Sequence, residues 1–391
     1  MTLHVAQLGF HVDAQAREPA QLLRDWPTMV DLADAATRAG VRVTVVQACA
    51  RAESLHHNGV AYRFFAADSA QRTVALSKGF ESLIRNLRAD VFHVHGLCFP
   101  NDVRQLARLV PDVPILLQDH ASRPPRFWRW RKRRAWRQGF AAAGSIAFCS
   151  LAQSEPFAAA GLIGPRTQIW QIPESSSRFS SACQLAARAA CPLAGDPCVL
   201  WVGQLIDRKD PLTVLSGVSL ASQALPGLQL WCCFQTDTLL QRVRARIEHD
   251  PALRGRVHLL GRVEHERIET LMRAADLFVA ASRFEGSGYA LLEALACGLA
   301  PVVTDIPSFR ALTANGQIGR LWPCGDAQGL AGALVQVASQ PRTPLRLSVR
   351  AHFERHLSLD ALGRTLLQAY QRLSEHPGSA SAAIDAPQAA P

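Results

Sequence analysis

Residues 277–304 constrain the fold more than any other part of the chain. The apolar run 277–281 is typical of a buried strand, and residues 301–304 are typical of the next one. Between these runs, apolar residues recur at the spacing of one helix face, at Leu291, Leu292, Leu295, Ala296 and Leu299. The segment therefore predicts a strand, a glycine turn, a helix that ends at Gly298, and a second strand.

Two glutamates lie at the start of this predicted helix, Glu285 in the turn and Glu293 eight residues later. The first amides of a helix lack intrahelical partners, and the macrodipole adds positive potential there. Amides of Gly286, Ser287 and Gly288 could therefore hold a diphosphate or sugar hydroxyls. Glu293 could accept hydrogen bonds from a ribose diol, and Glu285 could reach a sugar hydroxyl or steer a phosphate. An ordinary turn with two solvated glutamates would show the same pattern.

Strand and helix patterns alternate over most of the chain. Strand-like runs cover residues 3–8, 41–47, 60–65, 91–94, 115–117, 145–149, 168–172, 199–202, 228–234, 257–260, 277–280, 301–304 and 319–321. Helix patterns lie between most of them, for example over residues 26–39, closed by Gly40. The alternation predicts an α/β fold of two doubly wound, Rossmann-like domains with parallel sheets, which face a central ligand cleft.

The same patterns predict the domain boundaries. Residues 1–175 form an N-terminal, acceptor-side domain, and residues 198–358 form the second domain. A Ser/Ala-rich linker covers residues 176–197, and an amphipathic helix covers residues 359–376 and returns toward the first domain. Residues 377–391 are rich in Ala, Pro and Ser and are predicted to be disordered.

Composition excludes several classes of protein. Of the 391 residues, 48% are hydrophobic and 19% are charged, as in a globular protein. No apolar run reaches the length of a membrane span, and the first ten residues resemble a strand and not a signal peptide. The ten cysteines form no zinc-site spacing, which indicates a reduced, cytoplasmic protein. A formal charge of +10 favours an anionic partner.

Two strand ends carry candidate donor-binding residues. In residues 202–211, VGQLIDRKDP, Gly203 ends the strand, and Arg208 and Lys209 could neutralise a departing diphosphate. In residues 259–263, LLGRV, Gly261 and Arg262 mark an edge that could receive a nucleobase. Solvated cations and an ordinary loop explain these two segments equally simply.

His120 is the candidate catalytic residue of the first half. It follows the strand pattern 115–117, and a histidine at the carboxyl end of a strand can bind a sugar hydroxyl or share charge with a reaction centre. Most single histidines have a structural role, and His93 and His95 compete for the same function.

Residues 123–137, RPPRFWRWRKRRAWR, combine eight cations with three tryptophans. Such a segment suits an anionic membrane surface, with the rings at headgroup depth. A solvated basic helix is the alternative, and nucleic acid is the least favoured partner. The candidate membrane-surface residues are Arg126, Trp128, Arg129, Trp130, Arg131, Lys132, Arg133 and Arg134.

Together, DVFHVHG at residues 90–96, VGQLIDRKDP, LLGRV and the segment that ends at Thr304 resemble the GT-B nucleotide-sugar glycosyltransferases of family 4. The resemblance is strong over residues 199–326 and looser over residues 3–173. Glu285 and Glu293 match the Glu-x7-Glu signature of that family.

The resemblance implies a role for each matching residue. Glu293 binds the ribose, Glu285 lies beside the donor sugar and its phosphates, and Arg208 and Lys209 hold the diphosphate. The Gly286–Gly288 amides touch the sugar, and His120 lies beside the reacting centre. The family is retaining and usually needs no metal or other cofactor, in agreement with the absence of an Asp-x-Asp motif.

The chain departs from the family pattern at three places. No glycine lies between Phe10 and Trp26, where the family commonly has a Gly-Gly loop. Gln204 replaces an arginine, and Glu174-Ser175 replaces an Asn-Gly pair.

The resulting prediction is a retaining glycosyltransferase that moves a sugar from a nucleotide diphosphate sugar to a hydroxyl of a carbohydrate or lipid-linked acceptor. It would be cytoplasmic and peripherally bound to the inner membrane face. A non-catalytic GT-B partner or scaffold, which binds a nucleotide sugar or an anionic membrane, is the alternative, and the first two departures favour it.

Overall fold

The computed structural model describes residues 2–13, 15–67, 78–120 and 130–375. It divides into two units, one made of Met1–Ser175 and the chain from Leu359 onward, and one made of Ser176–Ser358. Each unit contains one sheet whose strands alternate with helices, so the doubly wound fold class is confirmed. The predicted disordered tail, residues 377–391, lies outside the described residues.

An eight-stranded sheet forms the centre of the first unit. Its strands are β1 (His4–Gly9), β2 (Arg42–Cys49), β3 (Glu53–His57), β4 (Val60–Ala66), β5 (Val91–His95), β6 (Ile115–Gln118), β7 (Gly144–Phe148) and β8 (Gln168–Gln171). Their order is β3-β4-β2-β1-β5-β6-β7-β8. Along β1, Val5 and Ala6 belong to different hydrophobic cores, because successive side chains of a strand point to opposite faces.

The edge strand β3 differs from the sequence prediction, which had no strand there and a wholly parallel sheet. β3 runs antiparallel to β4, and the two are joined by Asn58 and Gly59, both at positive φ. An Asn-Gly pair of this kind forms the tight turn of a hairpin. The strand itself has a short, polar and mostly exposed sequence, so it carries no apolar pattern.

The helices of this part of the chain are α1 (Pro19–Asp25), α2 (Pro27–Arg38), α3 (Lys78–Leu87), α4 (Pro100–Leu109), α5 (Trp130–Ala143) and α6 (Glu155–Ala159). The helix predicted over residues 26–39 is α2, and α1 precedes it. Pro27 occupies the first position of α2, where its missing N–H is not needed.

A six-stranded, fully parallel sheet forms the centre of the second unit. Its strands are β9 (Cys198–Gly203), β10 (Gln229–Phe234), β11 (Val257–Gly261), β12 (Leu277–Ala280), β13 (Ala300–Thr304) and β14 (Arg320–Trp322). The order is β11-β10-β9-β12-β13-β14, so the direction of strand addition reverses between β9 and β12.

The remaining helices are α7 (Gln184–Ala189), α8 (Pro211–Ala221), α9 (Leu240–His249), α10 (His265–Ala274), α11 (Tyr289–Ala296), α12 (Pro307–Leu312), α13 (Ala327–Ala338), α14 (Arg342–His356) and α15 (Leu359–Glu375). The segment 176–197, predicted as a linker, lies in the second unit and contains α7. The last helix, α15, belongs to the first unit and packs against α2. A Cβ at Gly363 would lie 2.2 Å from the Ala35 carbonyl, so only glycine allows this close approach.

Candidate functional site

The glycine turn lies where the strand order of the second sheet reverses. Residues 281–288 leave the carboxyl end of β12, next to β9, and lead into α11. Ligands of doubly wound sheets bind outside the carboxyl ends of the strands at such a reversal. The fold therefore brings the turn and the segment after β9 to one position within the second unit.

Gly288 makes the helix start possible. Its φ is +78°, in the left-handed region that glycine adopts without strain. A Cβ at this position would lie 2.6 Å from Cε1 of Phe309, a buried residue of α12. Gly286, Ser287 and Gly288 are all buried, so the turn is a packed part of the unit and not a solvated loop.

Glu285 binds both candidate diphosphate-holding cations. Arg208 Nη1 donates to Glu285 Oε2 at 2.8 Å and to the Phe284 carbonyl at 2.9 Å, and Lys209 Nζ donates to Glu285 Oε1. Burial of Glu285 raises the pKa of its carboxyl, but the charges of Lys209 and Arg208 and the hydrogen bonds from Lys209 and Ser282 outweigh burial and lower that pKa below its usual value. The site thus contains a buried carboxylate that stays ionised between two cations.

The loop that carries these cations is tied to the glycine turn by Asp210. This residue has a φ of +44° and caps α8 by accepting from the Thr213 amide. It also accepts from Arg283 Nη2 at 2.8 Å, while the Arg283 amide donates to the Arg208 carbonyl at 2.9 Å. Backbone and side-chain hydrogen bonds therefore fix the loop after β9 and the turn after β12 relative to each other.

Glu293 has a partner that sequence reasoning did not find. His265, the first residue of α10, places Nε2 2.7 Å from Glu293 Oε1. The hydrogen bond that His265 donates to Glu293 raises the pKa of His265 above its usual value, although partial burial opposes the shift. The His265 ring also contacts Phe179, with centroids 4.8 Å apart. No motif signal marks His265, which begins α10 four residues after Gly261.

The other predicted donor-side residues lie at neighbouring strand ends. Gly203 is the last residue of β9, where a Cβ would lie 3.1 Å from the Trp201 ring. Gly261 ends β11 with a φ of +68°, and the exposed Arg262 follows it. Because β10 separates β11 from β9, Gly261 and Arg262 lie farther from the strand reversal than the Arg208–Glu285 group. Their predicted role at a nucleobase stays a prediction.

In the first unit, His120 lies in a chain of hydrogen bonds. It follows β6, and its Nδ1 lies 2.7 Å from Glu174 Oε2, while its Nε2 lies 3.2 Å from His95 Nδ1. Glu174 follows β8, so three strand ends contribute to the group. The sequence marked Glu174 only as a departure from the family pattern, and no local signal connects it with His120.

The two histidines that competed with His120 lie on β5, where His93 is buried and His95 is half-buried. Burial lowers the pKa of His95 well below its usual value, and the neighbouring His93 and His120 lower it further. Burial, with His120, lowers the pKa of His93 to about 3, and its Nδ1 lies 2.7 Å from the Tyr370 hydroxyl of α15. Both side chains are therefore neutral, and His120, like His95, is half-buried.

The segment after β1, which lacks the family's glycines, is held by ion pairs. Arg17 donates from Nε and Nη2 to the two carboxylate oxygens of Asp13 at 2.9 Å and from Nη1 to Asp25 at 3.0 Å. Phe10 at the end of β1 is buried against Phe80 and Phe99. Packing and charge pairs thus take the place of a glycine loop.

The predicted membrane-surface residues divide into two groups. Arg126, Trp128 and Arg129 lie outside the described residues. Trp130 begins α5 with 66% of its surface exposed, and the next four residues, Arg131, Lys132, Arg133 and Arg134, are exposed. In contrast, Trp136 packs against Phe140 and Phe157, so it belongs to the core. Within the described residues, every helix is too short or too polar to span a bilayer.

Residues 2–13, 15–67, 78–120 and 130–375 contain no group of three or more His, Cys, Asp or Glu side chains that could hold a metal ion. The expectation that the chemistry needs no metal stays a prediction. The positive groups at the strand reversal are Arg208, Lys209 and Arg283, and each already binds a carboxylate oxygen.

Two family models match the chain. The model described as "Glycosyltransferase Family 4" matches residues 28–162, and the model described as "Glycosyl transferases group 1" matches residues 196–340. The first covers most of the sheet that carries His120, and the second covers Arg208, Lys209 and both glutamates.

Curated relatives match parts of the chain. A phosphatidyl-myo-inositol mannosyltransferase of Mycobacterium leprae is 30% identical over 63% of this chain and 63% of its own length. A GDP-mannose:cellobiosyl-diphosphopolyprenol alpha-mannosyltransferase of Xanthomonas campestris is 24% identical over 59% of this chain and 60% of its own length. The chain thus spans less than two thirds of the length of these relatives.

A likeness in structure extends over almost the whole chain. The crystal structure of Anabaena HepE in complex with UDP aligns with a TM-score of 0.68 at 15% identity, over 95% of this chain and 100% of that one. At this identity the likeness concerns the fold.

Proposed function

Because this chain belongs to the GT-B glycosyltransferases of family 4, we propose that it transfers a sugar from a nucleotide diphosphate sugar to a hydroxyl acceptor with retention of anomeric configuration. The observation that carries the proposal is the group formed by Arg208, Lys209 and Glu285 at the strand reversal of the second unit. Two cations and a helix start at one position suit a diphosphate that gains charge as it departs.

In this reaction the bond between the anomeric carbon and the diphosphate oxygen breaks, and its electron pair stays on that oxygen. Arg208 and Lys209 would stabilise the charge, and they can share their donors between Glu285 and the diphosphate because a guanidinium has five N–H groups and an ammonium has three. The acceptor hydroxyl forms the new bond on the same face, and its proton passes to the departing phosphate oxygen.

Glu293 would orient the donor. A ribose diol can donate two hydrogen bonds to one carboxylate, and Glu293 already accepts one from His265 through Oε1. A carboxylate keeps further lone pairs after accepting one hydrogen bond. The donor would therefore add to the His265 contact or replace it.

The acceptor would be bound by the first unit, with His120 beside the reacting hydroxyl. A lipid-linked acceptor is supported by the relatives, whose names include phosphatidyl-myo-inositol and cellobiosyl-diphosphopolyprenol. The exposed cations and Trp130 of α5 would bind the anionic headgroups of the inner membrane face, where such an acceptor is found. The protein would then act in the cytoplasm as a peripheral membrane protein.

The alternative is a GT-B partner without catalytic activity. It is favoured by Gln204, an exposed residue where the family has an arginine, and by the ion-paired segment after β1 in place of a glycine loop. Such a protein would bind a nucleotide sugar without turning it over.

A thermal-shift screen against UDP-, GDP-, ADP- and dTDP-sugars, followed by a transfer assay with the stabilising donor, separates these functions. A donor at a hundredfold excess over its Kd should stabilise the protein by about 2.7 kcal/mol. Stabilisation with turnover supports the transferase, and stabilisation without transfer or hydrolysis supports the partner. If no nucleotide sugar shifts the melting temperature, the donor site is wrong.

A further inference from the structure

The segment that follows β8 is tied to neighbouring elements on both sides of Glu174, to strand ends before it and to helix α2 after it. The Ile172 amide donates to the Phe148 carbonyl at 2.8 Å, and the Ile172 carbonyl accepts from Gln118 Nε2 at 3.1 Å. One residue beyond Glu174, the Ser175 hydroxyl donates to Asp31 at 3.1 Å. The backbone that carries Glu174 is therefore held in place, and Gln118 and His120 of one strand end both bind this segment.

Glu174 is only 7% exposed, and burial of a carboxylate is costly unless it is paired and hydrogen-bonded. Its Oε2 lies 2.7 Å from His120 Nδ1, a distance typical of a charge-assisted hydrogen bond. A carboxylate only accepts, so Nδ1 of His120 carries a proton. The role predicted for His120 does not explain why the carboxylate of Glu174 is buried beside it.

The hydrogen bond determines what the other ring nitrogen can do. In neutral His120 the proton on Nδ1 leaves a lone pair on Nε2, which lies 3.2 Å from His95 Nδ1. His95 is half-buried and neutral, so it can donate to that lone pair from its own Nδ1. The opposite nitrogen of His95 is buried and has no hydrogen-bond partner in the described part of the chain. An unpaired lone pair on Nε2 of His95 costs less free energy than an unpaired N–H group would. This also favours a proton on Nδ1 of His95.

We propose that Glu174 is a positioning residue for His120, which holds the imidazole in one tautomer and ring orientation and balances its charge when it becomes protonated. The inference rests on the sugar transfer proposed above, because it assigns a role in that reaction to the Glu174-Ser175 pair. A histidine whose Nδ1 keeps this partner presents the lone pair of Nε2 in one fixed direction.

The groups around His120 come from several elements. His95 of β5 and Glu174 contact it directly, the neutral His93 lies behind His95, and the buried Asp119 precedes it in the chain. Among the described residues, Glu174 is the carboxylate in hydrogen-bond contact with the ring, so its removal should release the tautomer and orientation of His120.

The first test needs no substrate. NMR shifts of the ring nitrogens in the nitrogen-labelled full chain, recorded at alkaline pH where histidines are neutral, report which nitrogen of His120 carries the proton. The wild type should show the proton on Nδ1, and Glu174→Met should show a larger share on Nε2. A wild-type proton on Nε2, or unchanged shifts in Glu174→Met, would overturn the proposal.

The second test uses Glu174→Gln, which keeps the shape of the side chain and removes its charge. We expect kcat to fall at least about tenfold while the donor KM changes little. Glu155→Gln, an exposed acid of α6 in the same unit, is the matched control and should behave as the wild type.

These outcomes separate the two proposals. An unchanged kcat in Glu174→Gln would overturn the role of Glu174 and leave the transferase function intact. If the wild type turned over no donor, the proposed function would fail, and the ring-nitrogen shifts would still decide whether Glu174 sets the tautomer of His120.

Discussion

His265 Nε2 lies 2.7 Å from Glu293 Oε1, so the carboxylate proposed to bind the donor ribose already has a partner when no donor is bound. The bond raises the pKa of His265, and the pair therefore stabilises the fold fully below the usual histidine value of 6.5 and less as the pH rises through the raised pKa. Protonated His265 and a ribose diol compete for the same carboxylate.

We predict that donor affinity increases as the pH rises through the titration of His265, and that His265→Ala removes this dependence. The side chain of His265 is mostly exposed, so the pair is worth at most about 1 kcal/mol, or about fivefold in Kd. Calorimetric titration of the donor across this pH range measures the effect. His249→Ala, at an exposed position of α9, serves as the control, and an equal dependence in His265→Ala would refute the competition.

Lys209→Met should impair both stability and transfer. Glu285 is buried and would keep Arg208 as its remaining cation, which should lower the free energy of unfolding by about 1–3 kcal/mol. Transfer should fall by at least about a hundredfold if Lys209 stabilises the departing diphosphate. Urea unfolding and initial rates measure the two effects, with Arg244→Met on the exposed face of α9 as the control.

The ionised form of Glu285 also predicts a pH dependence of stability. Its pKa in the folded protein is below the usual 4.5, so its contribution is present above that value and is lost as the pH falls through the lowered pKa. Urea midpoints recorded on acidification should therefore decrease less in Glu285→Gln than in the wild type. Parallel decreases would mean that the carboxylate is not held ionised by Lys209 and Arg208.

Gly288→Ala should destabilise the second unit and weaken donor binding together. The backbone is left-handed at this position, and the new methyl would meet Phe309 at 2.6 Å, so a cost of about 1–3 kcal/mol is expected. Gly332→Ala in α13 has open space around the new Cβ and an ordinary helical backbone, so it should be neutral or slightly stabilising. Thermal unfolding and a donor titration compare the two, and equal stability of both variants would show that the turn relaxes freely.

The exposed face of α5 predicts binding to anionic membranes. Reversing two charges, Arg131→Glu with Arg134→Glu, should weaken sedimentation with phosphatidylserine vesicles by at least about tenfold, since each basic residue near such a surface contributes about 1 kcal/mol. The double variant Arg244→Glu with Arg267→Glu makes the same change in net charge on other exposed helices. If the two double variants bound equally, attraction by net charge would explain binding, and a specific membrane face on α5 would be wrong.

Much of the fold could be predicted from local patterns because apolar periodicity records which face of a segment is buried. The runs that became β9 to β14 were all recognised, and Gly298 ends its helix as expected. The edge strand β3 was missed because its side chains are mostly exposed, and exposure removes the periodic signal. Its Asn58-Gly59 turn was the available indication.

Residue types and spacing were enough to identify Arg208, Lys209, Glu285 and Glu293 as candidates, since cations, glycines and a helix start suit a diphosphate wherever they occur together. Their partners came only from the tertiary structure. Lys209 and Glu285 are 76 residues apart and meet because β9 and β12 are neighbours in the sheet. His265 reaches Glu293, and Glu174 reaches His120, across similar gaps in the chain. Periodicity describes which face of each element is buried, whereas strand order decides which loops are neighbours. The contacts between these loops lower the pKa of Glu285 and raise that of His265.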